Sequence, residues 1–125
     1  LAEARRLTAE VTWVEADLCN LPMEDKRFAH GLCLNNTLGV IPGEANRQRA
    51  LDEMVRVTDG TLALELLEAA TTKDVHEDYF GAPYRATRFQ LDEIDGFASR
   101  WPLLDRKTRP SKIARQFHLL IFSLL

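Results

Sequence analysis

Two groups of polar residues in this chain stand where they could meet a ligand. Asp17 ends a β-branched, aromatic run that starts at Val11, and Asn35, Asn36 and Thr37 end a second apolar run from Phe28 to Leu34. In open α/β sheets ligands bind beyond the carboxyl ends of the strands, so a carboxylate, two amides and a hydroxyl at two such ends suit hydrogen-bonded recognition. Each has a plainer use as well. An acid after a strand caps the next turn, and asparagine tolerates the left-handed backbone that ends a strand. Nothing points to nucleophilic or metal chemistry. His76-Glu77 opens an H-E-x-x-H zinc pattern, but position 80 is Phe80. There is no G-x-S-x-G. Cys19 and Cys33 form no C-x-x-C pair. No metal is expected, and Glu65, His76 and Tyr79 are the candidate proton acceptors.

These residues need a scaffold of alternating strands and helices. Leu1 to Glu10 has leucine and alanine at helical spacing. Val11 to Asp17 reads as a buried strand, Leu21-Pro22 closes its exit, Glu24 to Arg27 is a charged turn, and Phe28 to Leu34 is the next strand. After Ile41-Pro42-Gly43, the run from Glu44 to Val57 places Ala50, Leu51, Met54 and Val55 on one face, as in a helix lying on a sheet. Thr58-Asp59-Gly60 is expected to turn with Gly60 at positive φ, and Thr61 to Leu67 to follow as a strand with Glu65 embedded in it. Strand, helix, strand in this order predicts a parallel pair joined by a crossover. Glu68 to Arg88, polar and aromatic with Gly81-Ala82-Pro83 at its centre, reads as an irregular lid or substrate loop. Leu91, Ile94, Phe97 or Ala98, and Trp101 mark a further helix despite Gly96. Leu103 to Thr108 and Ala114 to Leu125 then read as antiparallel strands joined at Arg109-Pro110-Ser111. Phe117 to Phe122 is apolar on both faces and belongs in a sheet interior.

At 125 residues and 46% hydrophobic content the chain holds one core at most. Its 19 acids and 16 bases, net -3, are mixed along the sequence and leave no footprint for nucleic acid. The basic concentration from Arg100 to Arg115 reads as a solvated hairpin face. No apolar run is long enough for a membrane span, and two unpaired cysteines suit a reducing, cytoplasmic setting.

The string D-L-x-x-L-P-M-E-D-x-x-F from Asp17 to Phe28, an apolar strand ending in Asn35, and A-L-D-E-M-V-R-V-T-D-G-T-L-A-L-E from Ala50 to Glu65 resemble the class I S-adenosylmethionine-dependent methyltransferases. The resemblance covers nearly the whole chain and implies an α/β fold. It implies a Rossmann-like methyltransferase sheet with an antiparallel C-terminal strand, S-adenosyl-L-methionine as cofactor, and a small-molecule methyl acceptor. It assigns Asp17 to the adenine amino group and the Leu18 amide to a ring nitrogen. It runs Asn35, Asn36 and Thr37 beneath the methionine end of the cofactor. Tyr79, Tyr84 and Arg85 become candidates for contact with the acceptor. One departure is Phe28-Ala29, where the family usually has Phe-Asp. Because methyl transfer from a sulfonium needs mainly alignment, the catalytic residue stays unnamed.

The six glycines stand at 31, 39, 43, 60, 81 and 96, so no G-x-G occurs. The family's glycine-rich turn and its ribose-binding acid belong before Leu1. Residues 1–125 are therefore expected to be a partial methyltransferase domain, truncated at the N-terminus and running from the third strand onward, incompetent alone. The family's sheet order, 3-2-1-4-5-7-6, then predicts that strands four, five, seven and six form one sheet. Strand three, three strand spacings or about 14 Å from strand four, either pairs with that edge or detaches. An open edge on strand four invites dimerisation. The alternative from another class is a non-catalytic methyltransferase-like interaction module that uses this edge. Half of a nicotinamide-dependent dehydrogenase fits the α/β pattern but neither the antiparallel C-terminal pair nor the L-P-M-E-D-x-x-F segment.

Overall fold

The computed structural model describes residues 3, 6, 10–70, 74–79 and 82–125, with segments 74–79 and 82–85 described by their backbone alone. Strand β1 (Phe28–Cys33) leads through a single helical turn, α1 (Thr37–Val40), into helix α2 (Glu44–Val57) and the long strand β2 (Thr58–Glu68). Strands β3 (Asp74–Tyr79) and β4 (Ala82–Thr87) follow, then α3 (Leu91–Ala98), β5 (Leu103–Pro110) and β6 (Gln116–Ser123).

β1 and β2 pair in parallel, Gly31 opposite Leu62 and Cys33 opposite Leu64, with α2 as the crossover. β6 lies antiparallel to β2 from Thr61↔Ser123 to Glu68↔Gln116, and β5 antiparallel to β6. The order is β1-β2-β6-β5, the arrangement expected of the family's strands four, five, seven and six. β6 is interior, as its two apolar faces require. Val11 to Asp17, expected to be a strand, enters no ladder among the described residues apart from an isolated bridge between Asp17 and Asn20. Its β-branched composition suits a pleated, half-buried surface, but a strand exists only where a neighbour completes its hydrogen bonds. Here Val11 and Val14 are exposed instead.

α2 has the boundaries its periodicity predicts and buries Ala50, Leu51, Met54 and Val57. They meet one face of β2 and β6, where Leu62, Leu64, Leu66, Leu120 and Phe122 are buried, and Leu38, Phe89 and Ile94 close the same core. Each fully buried side chain of this size contributes about 1.5–3 kcal/mol.

Gly60 is not at positive φ in a turn. It lies within β2, which starts at Thr58, and a Cβ there would collide with the Ala29 carbonyl. The site needs glycine for close approach to β1 rather than for a turn. The stretch Glu68 to Arg88 is not an irregular loop. β3 and β4 form a separate two-stranded antiparallel sheet, Asp74 opposite Thr87 and Tyr79 opposite Ala82. The chain then returns alongside β2, where the Ala69 N–H donates to the Phe89 carbonyl (2.8 Å) and the Phe89 N–H to the Leu67 carbonyl (2.8 Å).

Candidate functional site

The carboxyl ends of β1 and β2, the start of β6 and the end of β5 share one rim, because the first two strands run up to it and β6 runs away from it. β1 reaches the rim through Asn35 and Asn36, both left-handed at φ 56 and 58, the conformation that asparagine tolerates best after glycine. The turn is tied to β2 through the backbone amides of both asparagines. The Asn36 N–H donates to the Glu65 carbonyl (3.0 Å) and the Asn35 N–H to Glu65 Oε1 (3.0 Å). Asn36 is buried. Its Oδ1 accepts the Leu67 N–H (3.0 Å), and its Nδ2 donates to the Thr87 carbonyl at the end of β4 (2.9 Å). Thr37 Oγ1 donates to the Leu34 carbonyl (2.7 Å). The Asn36 side chain thus holds β2 and β4 to the turn, while the Asn35 side chain faces outward.

Glu65, embedded in β2, has a partner the sequence reading missed. Arg109 of β5 grips it in a bidentate pair, Nε to Oε2 (2.9 Å) and Nη2 to Oε1 (3.0 Å), and donates to Asn35 Oδ1 (2.7 Å). The same guanidinium lies 3.7 Å from the centroid of the Phe117 ring. Arg109 holds the Glu65 carboxyl below the usual carboxylate range, burial opposes it, and the Asn35 N–H adds to the lowering. Glu65 is therefore an ionised structural anchor and not a free proton acceptor. Arg109→Ala strands this carboxylate and removes the ring contact. Because Arg109 is half-exposed and water can enter, the expected loss in urea unfolding is smaller than for a fully buried pair. Arg109→Lys should recover less than half of it, having no planar fork.

Three residues on, on the opposite face of β2, a second buried acid, Glu68, is satisfied in the same way. His118 Nε2 donates to Glu68 Oε1 (2.7 Å) and Gln116 Nε2 donates to the same oxygen (3.2 Å), with Arg115 3.2 Å from Oε2. Arg106 donates to His118 Nδ1 (3.3 Å) and pairs with Asp95 of α3 (2.8 Å). A guanidinium has no lone pair to offer, so Nδ1 is the acceptor and the ring proton sits on Nε2. Burial pushes the Glu68 carboxyl up, yet the bonds from His118 and Gln116 outweigh it and leave it below its ordinary range. The basic run from Arg100 to Arg115, read from sequence as a solvated face, supplies the counter-charges for both acids. An acid inside an apolar strand was the signal that a cation must come from elsewhere.

Asp17 and Leu18 stand at a second place on the rim. Asp17 Oδ1 accepts the Cys19 N–H (2.9 Å) and the Asp17 carbonyl accepts the Asn20 N–H (2.9 Å), which closes a tight turn. Cys19 Sγ donates to the Asn46 carbonyl of α2 (3.3 Å). The turn borders a cleft of about 650 Å³ whose other walls are Val40, Ile41 and Pro42 after α1, and Asn46 and Arg49 of α2. Asn35 and Asn36 border a smaller one of about 80 Å³ with Leu67, Ala86, Arg88 and Phe117, and Val40 borders both. Thr37 instead lines an apolar groove of about 350 Å³ along β1. The structure thus brings Asp17, Leu18, Asn35 and Asn36 to adjoining clefts and places Thr37 elsewhere. Tyr79, Tyr84 and Arg85, and with them His76, lie in the β3–β4 hairpin, Glu77 opposite Tyr84 and His76 opposite Arg85. Their side chains fall outside the described residues. Val40 to Pro42 and Arg49 were not singled out from the sequence, in which they carry no recognisable spacing.

No protein-family model matches the chain, and no curated protein matches it by sequence. Solved structures do. A SAM-dependent methyltransferase from Methanosarcina mazei superimposes with a TM-score of 0.71 at 14% identity, over 86% of this chain and 64% of that one. The 1,6-didemethyltoxoflavin-N1-methyltransferase of Burkholderia thailandensis was solved with 1,6-didemethyltoxoflavin and S-adenosylhomocysteine bound. It gives 0.68 at 17% identity, over 98% of this chain and 54% of that one. A protein of Pyrococcus horikoshii gives 0.59 at 13% identity, over 98% and 65%. The chain therefore spans under two thirds of the length of each of these structures. Sheet order, rim and superpositions agree that this chain has the Rossmann-like fold of the class I methyltransferases.

Proposed function

We propose that this chain is the later part of an S-adenosylmethionine-dependent methyltransferase domain acting on a small molecule in the cytoplasm. The observation that carries this reading is the meeting of Asp17-Leu18 with Val40, Ile41 and Pro42 around one cleft at the carboxyl rim. An adenine ring has apolar faces and an amino donor on its edge, and the cleft offers Val40, Ile41 and Pro42 along one wall with a carboxylate at its border. Bound there, the cofactor supplies an electrophilic methyl group on sulfur. The chain's part is alignment: Asp17 and the Leu18 amide hold the base, the Asn35-Asn36 turn lies towards the sulfur end, and Tyr79, Tyr84 and Arg85 of the β3–β4 hairpin are the candidates for contact with the acceptor. Alignment of donor and acceptor accounts for most of what such a reaction requires. The neighbour from Burkholderia thailandensis, solved with a heteroaromatic substrate, supports a small-molecule acceptor. No glycine-rich turn occurs within these 125 residues, so the chain by itself is read as a weak binder with no transferase activity.

Weak binding is measurable by NMR. Titrating S-adenosylhomocysteine should shift the amide signals of Asp17 to Cys19 and of Val40 and Ile41. Asp17→Ala should weaken the apparent Kd by about tenfold or more, the loss of a hydrogen bond to a charged group. Unshifted signals in those two segments, or equal affinities, would sink the reading.

A second reading has its own observation. The outer edge of β1 pairs with nothing among the described residues, Leu32 on it is 73% exposed, and an apolar groove runs alongside. Open edges recruit strands, which favours an interaction module or a dimer formed through β1. Sedimentation velocity should then show concentration-dependent association that Leu32→Lys abolishes. A monomer at all concentrations removes this reading. No helix among the described residues is long and apolar enough to cross a membrane.

A further inference from the structure

Leu21 to Lys26 has no regular structure, yet it is among the most completely tied segments of the chain, and every tie leads to Glu53 or Arg56 on the last turns of α2. Arg56 uses all five of its N–H bonds. Nε and Nη2 donate to the two oxygens of Glu53 (2.8 and 2.9 Å), Nη1 to the Met23 carbonyl (2.8 Å) and to Asp25 Oδ1 (2.9 Å), and Nη2 to the Leu21 carbonyl (3.0 Å). Five donors is the full capacity of a guanidinium. Glu53 Oε2 also accepts the Leu21 N–H (2.8 Å), and the Arg56 carbonyl accepts the Lys26 N–H (2.8 Å). Arg56, with the Leu21 N–H assisting, pulls the Glu53 carboxyl down to about 2, so it stays ionised through any ordinary pH.

The tied segment follows directly on the Asp17–Asn20 turn. Upstream, Val11 to Ala16 enters no ladder among the described residues. The far wall of the cleft, Val40 to Pro42, leads into α2 from the other side. The distance between the two walls is thus set by the packing of Leu18, Cys19 and Ile41 on the core and, through α2, by the Cys19–Asn46 contact and by this clamp. We infer that Arg56, oriented by Glu53, is a positioning residue that holds Asp17 and Leu18 against the adenine cleft. The inference rests on the adenosyl reading of that cleft. A plain i,i+3 ion pair on a helix would have no such reach, since it touches neither the Leu21 nor the Met23 backbone.

The test pairs local dynamics with binding, on the chain as it is, using Arg56→Gln, Arg56→Lys and, as a control cation elsewhere, Arg100→Gln. Arg100 donates to Gln48 and lies over Phe97, far from this segment in the hydrogen-bond pattern. Hydrogen exchange should speed up at least tenfold at the Leu21 and Lys26 amides in Arg56→Gln, with the β2 and β6 amides unchanged. Arg56→Lys should restore little, because a point charge cannot span five acceptors. The apparent affinity for S-adenosylhomocysteine should fall about tenfold in both variants and hold in Arg100→Gln. Unchanged exchange at Leu21, or equal acceleration over the whole sheet, overturns the clamp. Local acceleration with undiminished affinity overturns the positioning role alone. If exchange responds but the wild-type chain never binds the nucleoside, the adenosyl reading fails, and the positioning role fails with it.

Discussion

Asn36→Ala is expected to lower stability by about 3–5 kcal/mol, a large share of the total for a domain of this size. The side chain is buried and uses both ends: the Leu67 N–H loses its acceptor and the Thr87 carbonyl its donor when it is removed. An unsatisfied buried group of this kind costs about 1–3 kcal/mol each. Alanine also inherits the left-handed φ of 58, for about 1 kcal/mol more. Asn36→Gly separates the two contributions, since it keeps the backbone conformation free of strain while losing both bonds; it should be about 1 kcal/mol less harmful. Urea unfolding followed by far-UV dichroism measures all three proteins. A loss under 1 kcal/mol for alanine would mean that the turn is not the joint between β2 and β4 described above. Gly39 reinforces that joint, because a Cβ there would run into the Thr87 carbonyl and the Asn36 amide.

Phe122→Ala should cost a comparable 3–5 kcal/mol by roughly the same measure. Phe122 is fully buried in the interior strand β6, opposite Leu62 of β2, and its ring meets Trp101 edge-on at 5.3 Å and 77°. Truncation loses both the transfer energy and the aromatic contact and leaves a cavity between two layers that α2 and the segment after α3 hold apart. Phe122→Leu fills most of that volume and should cost under half as much. Leu104→Ala, on the edge strand β5 and 59% exposed, should stay within about 0.5 kcal/mol. Equal midpoints for the Phe122 and Leu104 variants would contradict the placement of β6 inside the sheet.

Most of the sheet was legible in the sequence because its elements carry strong periodic signals. α2 follows from Ala50, Leu51 and Met54 on one stripe, and β6 from apolar residues on both faces. Val11 to Asp17 was misjudged because composition describes the environment a strand suits, while pairing depends on a partner. The β3–β4 hairpin was missed because its residues alternate no apolar face and Gly81-Ala82-Pro83 reads as a loop. At the candidate site, Asp17, Asn35 and Asn36 were visible as polar groups after apolar runs, and Leu18 entered through the family resemblance. Arg109, Phe117 and the wall from Val40 to Pro42 were not, since they come to the rim through long-range pairing that local sequence does not encode. Glu65 was visible as an anomaly, but its partner lies 44 positions away.

The ladder between β2 and β6 also bears on how the chain assembles. β1, α2 and β2 are consecutive, and β5 and β6 are neighbours joined by a short link, so each of these units closes small loops early and at low entropic cost. The ladder that unites them joins residues such as Glu68 and Gln116, 48 positions apart, and must wait for both units. It is the nonlocal step expected to limit the rate of folding. Before it forms, the apolar face of β2 lies bare, and the two acids beside it have no counter-charges. Glu65 and Glu68 would then keep that intermediate hydrated and discourage collapse onto the wrong strand, until Arg109 and Arg115 arrive with the hairpin and neutralise them.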